Sequence, residues 1–242
     1  MAIRRQVVNI PGVERTHSPI PEGAKLGDLL FSSLLASGDA SGEEGEGTVP
    51  AAMSLFKRIG ALLEAAGGSP ENLVNLAVYV LDDADRQSIN AAWVKMLPVS
   101  TARPARHILN VTPKGVRGPF SANFLAVIPD PSLSEAGCGR LVYSPLIAGR
   151  VKGSGNLPQD PEEQATAMFD NMKAWVEQAG GSLENIGNVM IYTMNDAYRE
   201  IVNRPWARMF PDRSNLPARE TINVLPNGLQ EEMFACVVTA AI

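Results

Sequence analysis

Histidine and cysteine are scarce in this chain, with two of each among 242 residues. A protein-built zinc site, which takes about four nitrogen or sulfur ligands, is therefore not indicated. Cys138 and Cys236 fall at positions that no internal symmetry relates, so they form no disulfide framework. Two buried thiols in a reducing cytoplasm is the plain reading. Positive charge is also in short supply. Lys and Arg number 21 against 26 Asp and Glu, a net charge of −5, which argues against a nucleic-acid or anionic-membrane surface. No apolar run reaches the roughly 18 residues that would span a bilayer. The basic start Met1–Gln6 is not followed by the long apolar core of a signal peptide. Gly153-Ser154-Gly155 lacks the Gly-Lys-Ser/Thr that would make it a phosphate loop. What remains is an ordinary globular composition, 45% apolar and 19% charged.

Against that background the chain repeats itself. Glu64-Ala65-Ala66-Gly67-Gly68-Ser69 returns as Glu177-Gln178-Ala179-Gly180-Gly181-Ser182. Trp93 returns as Trp206, and Pro104-Ala105-Arg106 as Pro217-Ala218-Arg219, all at an offset of 113 residues. Roughly four positions in ten are identical from Glu64 to Gly115. The period is that of a whole domain, not of a solenoid unit. Two similar domains, 1–129 and 130–242, are expected head to tail, with Pro129–Ser134 as the linker.

Each repeat reads as strands, helix, strand, helix, two strands. In the first, Leu29–Ser33 is a strand, Ala36–Thr48 a solvated Gly/Ser/Glu loop, and Val49-Pro50 opens a helix with Met53, Phe56, Ile59, Leu62 and Leu63 on one face. Gly67-Gly68 ends it. Leu73–Leu81 is a strand, Asp82–Asp85 an N-cap cluster for a helix through Met96, and Arg106–Val111 and Phe120–Ile128 the last strands. The second repeat follows with strands at Leu141–Pro145, Ile186–Met194, Arg219–Val224 and Glu232–Ala241 and helices opening at Asp160 and Asp196. It lacks a counterpart of the extra strand Ile3–Ile10. This is an α+β pattern, with helices on one face of a mixed sheet.

Among residues that could carry chemistry, Arg106 and Arg219 stand out. Each follows Pro-Ala where a strand begins after a loop. From there a guanidinium can receive a carboxylate, or it can make a surface ion pair. Glu231 and Glu232 open the final strand, where one of them can hold or deprotonate a water, or both can be exposed strand-end acids. At the same offset, Glu232 corresponds to Pro119. Trp93 and Trp206 have core spacing. Asn90 and Asn203 can cap a helix or cross-link backbone, Asn110 and Asn223 are strand polars that need partners, and His17 and His107 stand alone in sequence.

In order, these pieces resemble the RidA family, also called YjgF, of reactive imine/enamine deaminases and relatives. The first strand Leu26–Ser33 is similar to the family's Gly-x-x-x-x-x-Ser strand. Leu63–Gly67 and Val78–Asp83 match its middle, Asn90 and Asn203 its helix-two asparagine, and the two Pro-Ala-Arg triplets and Leu225–Gly228 its later motifs. The resemblance implies two tandem chorismate-mutase-like domains, each a mixed sheet with two helices packed on one face. It implies a small carboxylated metabolite as ligand, no metal or organic cofactor, and a homo-oligomer, a trimer of two-domain chains. It implies that Arg106, Arg219, Ser33 and Asn203 bind substrate, with Arg219 on its carboxylate, and that Glu232 positions the water that hydrolyses a C=N bond.

The departures are specific. The family's Gly-Pro-Tyr tyrosine is absent, since Ser18-Pro19-Ile20 stands there, and Pro145 replaces the first-strand serine in repeat two. Repeat one keeps Ser33 and Arg106, and repeat two keeps Arg219 and Glu232. A composite cleft pooling both sets is expected, on a specialised substrate such as an aminomuconate-type ring-opening product. The rival is a non-catalytic ligand binder on the same scaffold. A ribonuclease activity fits poorly with an acidic chain.

Overall fold

The helical spacing in the sequence becomes two long helices at the repeat offset. α1 (Thr48–Ala65) buries Leu55, Phe56, Ile59, Leu62 and Leu63, and α3 (Pro161–Gln178) buries Met168, Phe169, Met172 and Val176. The computed structural model describes residues 5–13, 19–37, 47–110, 119–129, 140–223 and 232–242, apart from the side chains of Asp83, Ala102, His107 and Asn110. α3 begins on Asp160, whose carboxylate accepts the backbone N–H groups of Glu162 and Glu163 at 2.9 Å each. Each helix is followed by a glycine in the left-handed region, Gly67 at φ 83° and Gly180 at φ 97°, where a Cβ would be strained. Next comes a 3-10 turn, Pro70–Asn72 or Leu183–Asn185, fastened by a serine that donates its N–H and hydroxyl to the asparagine three residues on.

The first sheet contains β1 (Arg5–Val8), β2 (Gly23–Leu26), β3 (Leu29–Ser32), β4 (Leu35–Ala36), β5 (Leu73–Val80), β6 (Ala105–Asn110) and β7 (Phe120–Val127). Its order is β1-β2-β3-β7-β5-β6, with β4 beside β7. The second contains β8 (Leu141–Tyr143), β9 (Ile147–Ala148), β10 (Ile186–Thr193), β11 (Ala218–Asn223) and β12 (Phe234–Ala241) in the order β11-β10-β12-β8, with β9 beside β12. The pairs β5/β6 and β10/β11 are parallel, joined through α2 (Arg86–Met96) and α4 (Tyr198–Met209). All other pairs are antiparallel. Two helices pack on one face of each mixed sheet and close an apolar core there. The α+β arrangement read from the sequence is the one observed.

Three local expectations are corrected or fall elsewhere. Among the described side chains of the Asp82–Asp85 cluster, none caps α2. Asp82 Oδ1 instead accepts the N–H of Ala84 at 2.9 Å and turns the chain into a 3-10 segment, and Asp85 makes no capping bond. The last strand starts at Phe234, two residues beyond Glu232. Most of the linker and the loop after Ala36, together with Glu231, His17, Cys138 and Leu225–Gly228, lies outside the described residues.

The free faces of the two sheets meet. Ala24, Leu26, Leu29 and Phe31 of the first repeat pack against Ala218 and Ala241 of the second, and Ala77 and Tyr79 against Ile222. Arg5 on β1 crosses the same seam. Its Nη1 donates to the carbonyls of Leu183 at 2.8 Å and Ile186 at 2.7 Å, and its Nη2 to that of Asn215. The tightest approach is at Gly187, where an added Cβ would come within 2.3 Å of the Phe31 ring. Gly187 sits in a bulge of β10 between Ile186 and Asn188. The same bulge recurs on β5 between Leu73 and Asn75, where the residue is Val74, 45% exposed. The position is glycine in the repeat on which the other repeat lies. Gly187→Ala is expected to destabilise the chain by about 1–3 kcal/mol, the scale of overpacking a tight core. Val74→Ala should stay within about 0.5 kcal/mol. Urea midpoints of the two variants check this difference.

Candidate active site

β11 is an edge strand, and Arg219 is its second residue. The side chain turns toward α4. Its guanidinium carbon lies 4.8 Å from the centroid of the Trp206 ring, and Nη2 donates to Asn203 Oδ1 at 2.6 Å. Asn203 and Trp206 are three apart on α4 and so share a face. Trp206 is fixed in turn by Phe169, edge-on at 6.1 Å between centroids. The backbone N–H of Arg219 donates to Ser33 Oγ at 3.0 Å. The open edge of the second sheet is thus closed by a side chain from the first repeat.

Arg219 is 4% exposed, and neither Nε nor Nη1 has a partner among the described residues. Burial pulls its pKa down to about 9, nearby Arg199 acts in the same direction, and Glu200 opposes them. The group is still a cation at neutral pH. A buried charge with idle donors is a costly arrangement, and a small anion reaching those donors would relieve it.

Repeat one builds the same three-residue unit. Arg106 Nη2 donates to Asn90 Oδ1 at 2.7 Å, its guanidinium carbon lies 4.8 Å from the Trp93 ring, and its Nη1 has no partner among the described residues. Arg106 is only half-buried. Burial, then Arg103, pulls its pKa below the usual arginine value. No hydrogen bond like that of Ser33 is made to its backbone N–H among the described residues. The reason is in the leading strands. Ser32 Oγ accepts the N–H of Phe124 at 2.8 Å, and Ser144 Oγ accepts that of Val238 at 2.9 Å, so Pro145 stands where repeat one has Ser33.

Glu232 is 13% exposed and accepts from Arg150 Nη2 at 2.6 Å. Arg150 follows β9, and its carbonyl accepts from Asn171 Nδ2 at 2.8 Å. β7 and β12 are related by 114 residues, so Glu232 corresponds to Gly118 and not to Pro119, the match a constant offset suggests. Asn90 and Asn203 bond to guanidinium groups rather than to backbone. Asn223 donates to Asp196 Oδ1 at 3.4 Å. Cys236 is buried, with its thiol pushed up to about 12 by desolvation. No His/Cys/Asp/Glu group among the described residues could hold a metal ion.

Two features were not singled out from sequence. Trp93 and Trp206 are core residues and guanidinium platforms at once, and the twice-repeated Asn-x-x-Trp ahead of Pro-Ala-Arg was the available signal. Glu220 follows Arg219, points to the opposite face of β11 and is 1% exposed. It accepts from Asn188 Nδ2 at 3.0 Å and from Asn123 Nδ2 across the seam. Burial pushes its pKa up to about 7, against the pull of those two bonds.

Residues 134–239 match the family described as Endoribonuclease L-PSP. A RutC family protein of Aquifex aeolicus is 25% identical over 105 residues, 41% of this chain and 84% of its own length. Among solved structures, RidA from the Antarctic bacterium Psychrobacter is 26% identical, covering 51% of this chain and 99% of its own, with a TM-score of 0.45. Protein YJGH is 19% identical over 53% and 99% of the two chains, with a TM-score of 0.48. The family match falls within the second repeat, and the RutC family relative is similar over a stretch of one repeat's length.

If the idle donors of Arg219 accept an anion, a simple carboxylate should stabilise the fold by mass action. Pyruvate at about ten times its dissociation constant is expected to add about 1.4 kcal/mol, a rise of a few degrees in melting temperature. Thermal melts should lose that rise in Arg219→Met. An equal rise in the variant would place the anion elsewhere.

Proposed function

We propose that the chain is a hydrolytic deaminase acting on an imine, enamine or related C–N bond of a small carboxylated metabolite. The observation that carries this reading is the buried Arg219 guanidinium with two unpartnered donors, held by Asn203 and Trp206 beside Ser33 of the other repeat. In this reading Arg219 binds the substrate carboxylate and fixes its orientation. Ser33 contributes from the first domain, residues 1–129, and Arg219 and Asn203 from the second, residues 130–242. Glu232 lies beyond the Thr193 end of β10, away from the Val189 level at which Arg219 pairs, and in this reading it is supplied to the cleft by another chain of the assembly. Arg106 offers a second carboxylate-binding position. Glu232 takes a proton from water as the water oxygen adds to the C=N carbon, and the nitrogen gains a proton. The C–N bond of that adduct then breaks, ammonia leaves, and a C=O group remains. Arg150 orients Glu232 by occupying one carboxylate oxygen. We also infer assembly as a trimer of two-domain chains, which light scattering should report as three times the chain mass.

The chemistry named in the family description, RNA cleavage, is weighed down here by the net charge of −5. A ligand-binding role without catalysis has one observation in its favour, the Arg150–Glu232 ion pair that engages the acid. Ammonia release from an imino acid generated in situ separates the readings. Arg219→Ala and Glu232→Gln are each expected to lower the rate at least about a hundredfold, the scale of losing one charge-stabilising or proton-transferring group. Wild-type protein that releases no ammonia above the uncatalysed rate would leave only the binding role.

A further inference from the structure

The face of β11 opposite Arg219 looks into a cavity of about 420 Å³ between the two sheets. Glu220 is the only charged side chain among the residues that line it. Asn123 and Asn188 donate one amide N–H to each of its oxygens, and a carboxylate has capacity for about two further donors. No cationic side chain among the described residues pairs with it. Three aromatic side chains line the same space: Phe31, Tyr79 and Tyr143. Val74 and Tyr143, the two most exposed of the lining residues named here, stand at the mouth.

We propose that this inter-sheet cavity is a binding site for a small organic ammonium ion, a primary amine with a short apolar tail, with Glu220 as its counter-ion. The charge of such a ligand matches the one acid, its N–H groups match the free lone pairs, and its body suits aromatic walls, whose π faces attract cations. The cavity volume falls in the range of small-molecule sites. The proposal does not rest on the deaminase reading, because Arg219 and Glu220 lie on opposite faces of one strand.

The titratable groups that face Glu220 are Tyr79 on β5 and Tyr192 on β10, with Tyr143 of β8 at the mouth. Burial, and Glu220 itself, raises the first two phenols, so neither ionises near neutrality. The pH dependence of the site is therefore that of Glu220, held at about 7 by burial. An alkylammonium stays charged across this range, as a lysine side chain does.

Calorimetric titration of the full chain with butylammonium tests the proposal. At pH 8 one site per chain is expected, weakening about tenfold at pH 6 as the carboxyl becomes protonated. Glu220→Gln should weaken it at least about tenfold. So should Val74→Trp, which fills the mouth from an exposed position and leaves Glu220 in place. Butanol, of similar shape but uncharged, should bind at least about tenfold more weakly than the amine, and Arg219→Met should bind the amine as the wild type does. No heat of binding to wild type at millimolar amine, undiminished affinity in Glu220→Gln, or equal binding of butanol would overturn the proposal.

Discussion

The rest of the structure depends on the leading strands of the first repeat lying across the sheet of the second. Phe31 can sit there only because the bulge of β10 carries Gly187. Arg5 ties the same strands to the turns of the second repeat, with Nη1 and Nη2 on three carbonyl groups. Ser33 closes the edge of β11. The second repeat has no described counterpart of β1 and β2, so the contact is one-sided. Two copies of one scaffold thereby become unlike: the Arg219 edge is covered and the Arg106 edge is open.

That asymmetry explains how one sequence motif acquires two electrostatic settings. Arg219 and Arg106 share an asparagine acceptor and a tryptophan platform with nearly the same dimensions. Only Arg219 is deeply buried, and only its pKa is pulled as far as about 9. Arg5 makes the instructive contrast. It is also buried and pulled down to about 10, but Glu184 and Asp212 partly restore it, and carbonyls take up both of its Nη groups. Arg5 serves as a clamp. Arg219, with one acceptor and two idle donors, is arranged for something that comes from outside. The same strand alternation that aims Arg219 at α4 aims Glu220 at the seam, so β11 presents a cation on one side and an acid on the other.

Much of the fold was legible because it is written in local, periodic signals. The apolar stripe from Met53 to Leu63, the Gly-Gly stops and the Pro-Ala-Arg triplets each act within a few residues of themselves. Repetition at 113 residues then doubled every signal. What was not legible depends on the partner repeat. Nothing near Gly187 announces that Phe31, more than 150 residues earlier, will press on it. Glu220 looks like an ordinary strand acid until the first sheet is placed over it. Trp206 has core spacing, and only the path of Arg219 makes it a platform. Arg150 gives no sign in sequence that it will hold Glu232, because the pair is closed by the return of β12 beside β9.

The central claim is that Arg219 is an anion-binding group completed by both repeats. A crystal structure of the chain soaked with a 2-oxo acid tests it most directly. The expected result is a carboxylate within hydrogen-bonding distance of Arg219 Nε or Nη1, with Ser33 still on the backbone N–H and Asn203 still on Nη2. A fully occupied ligand bound elsewhere, with those two nitrogens still unpartnered, would contradict the account.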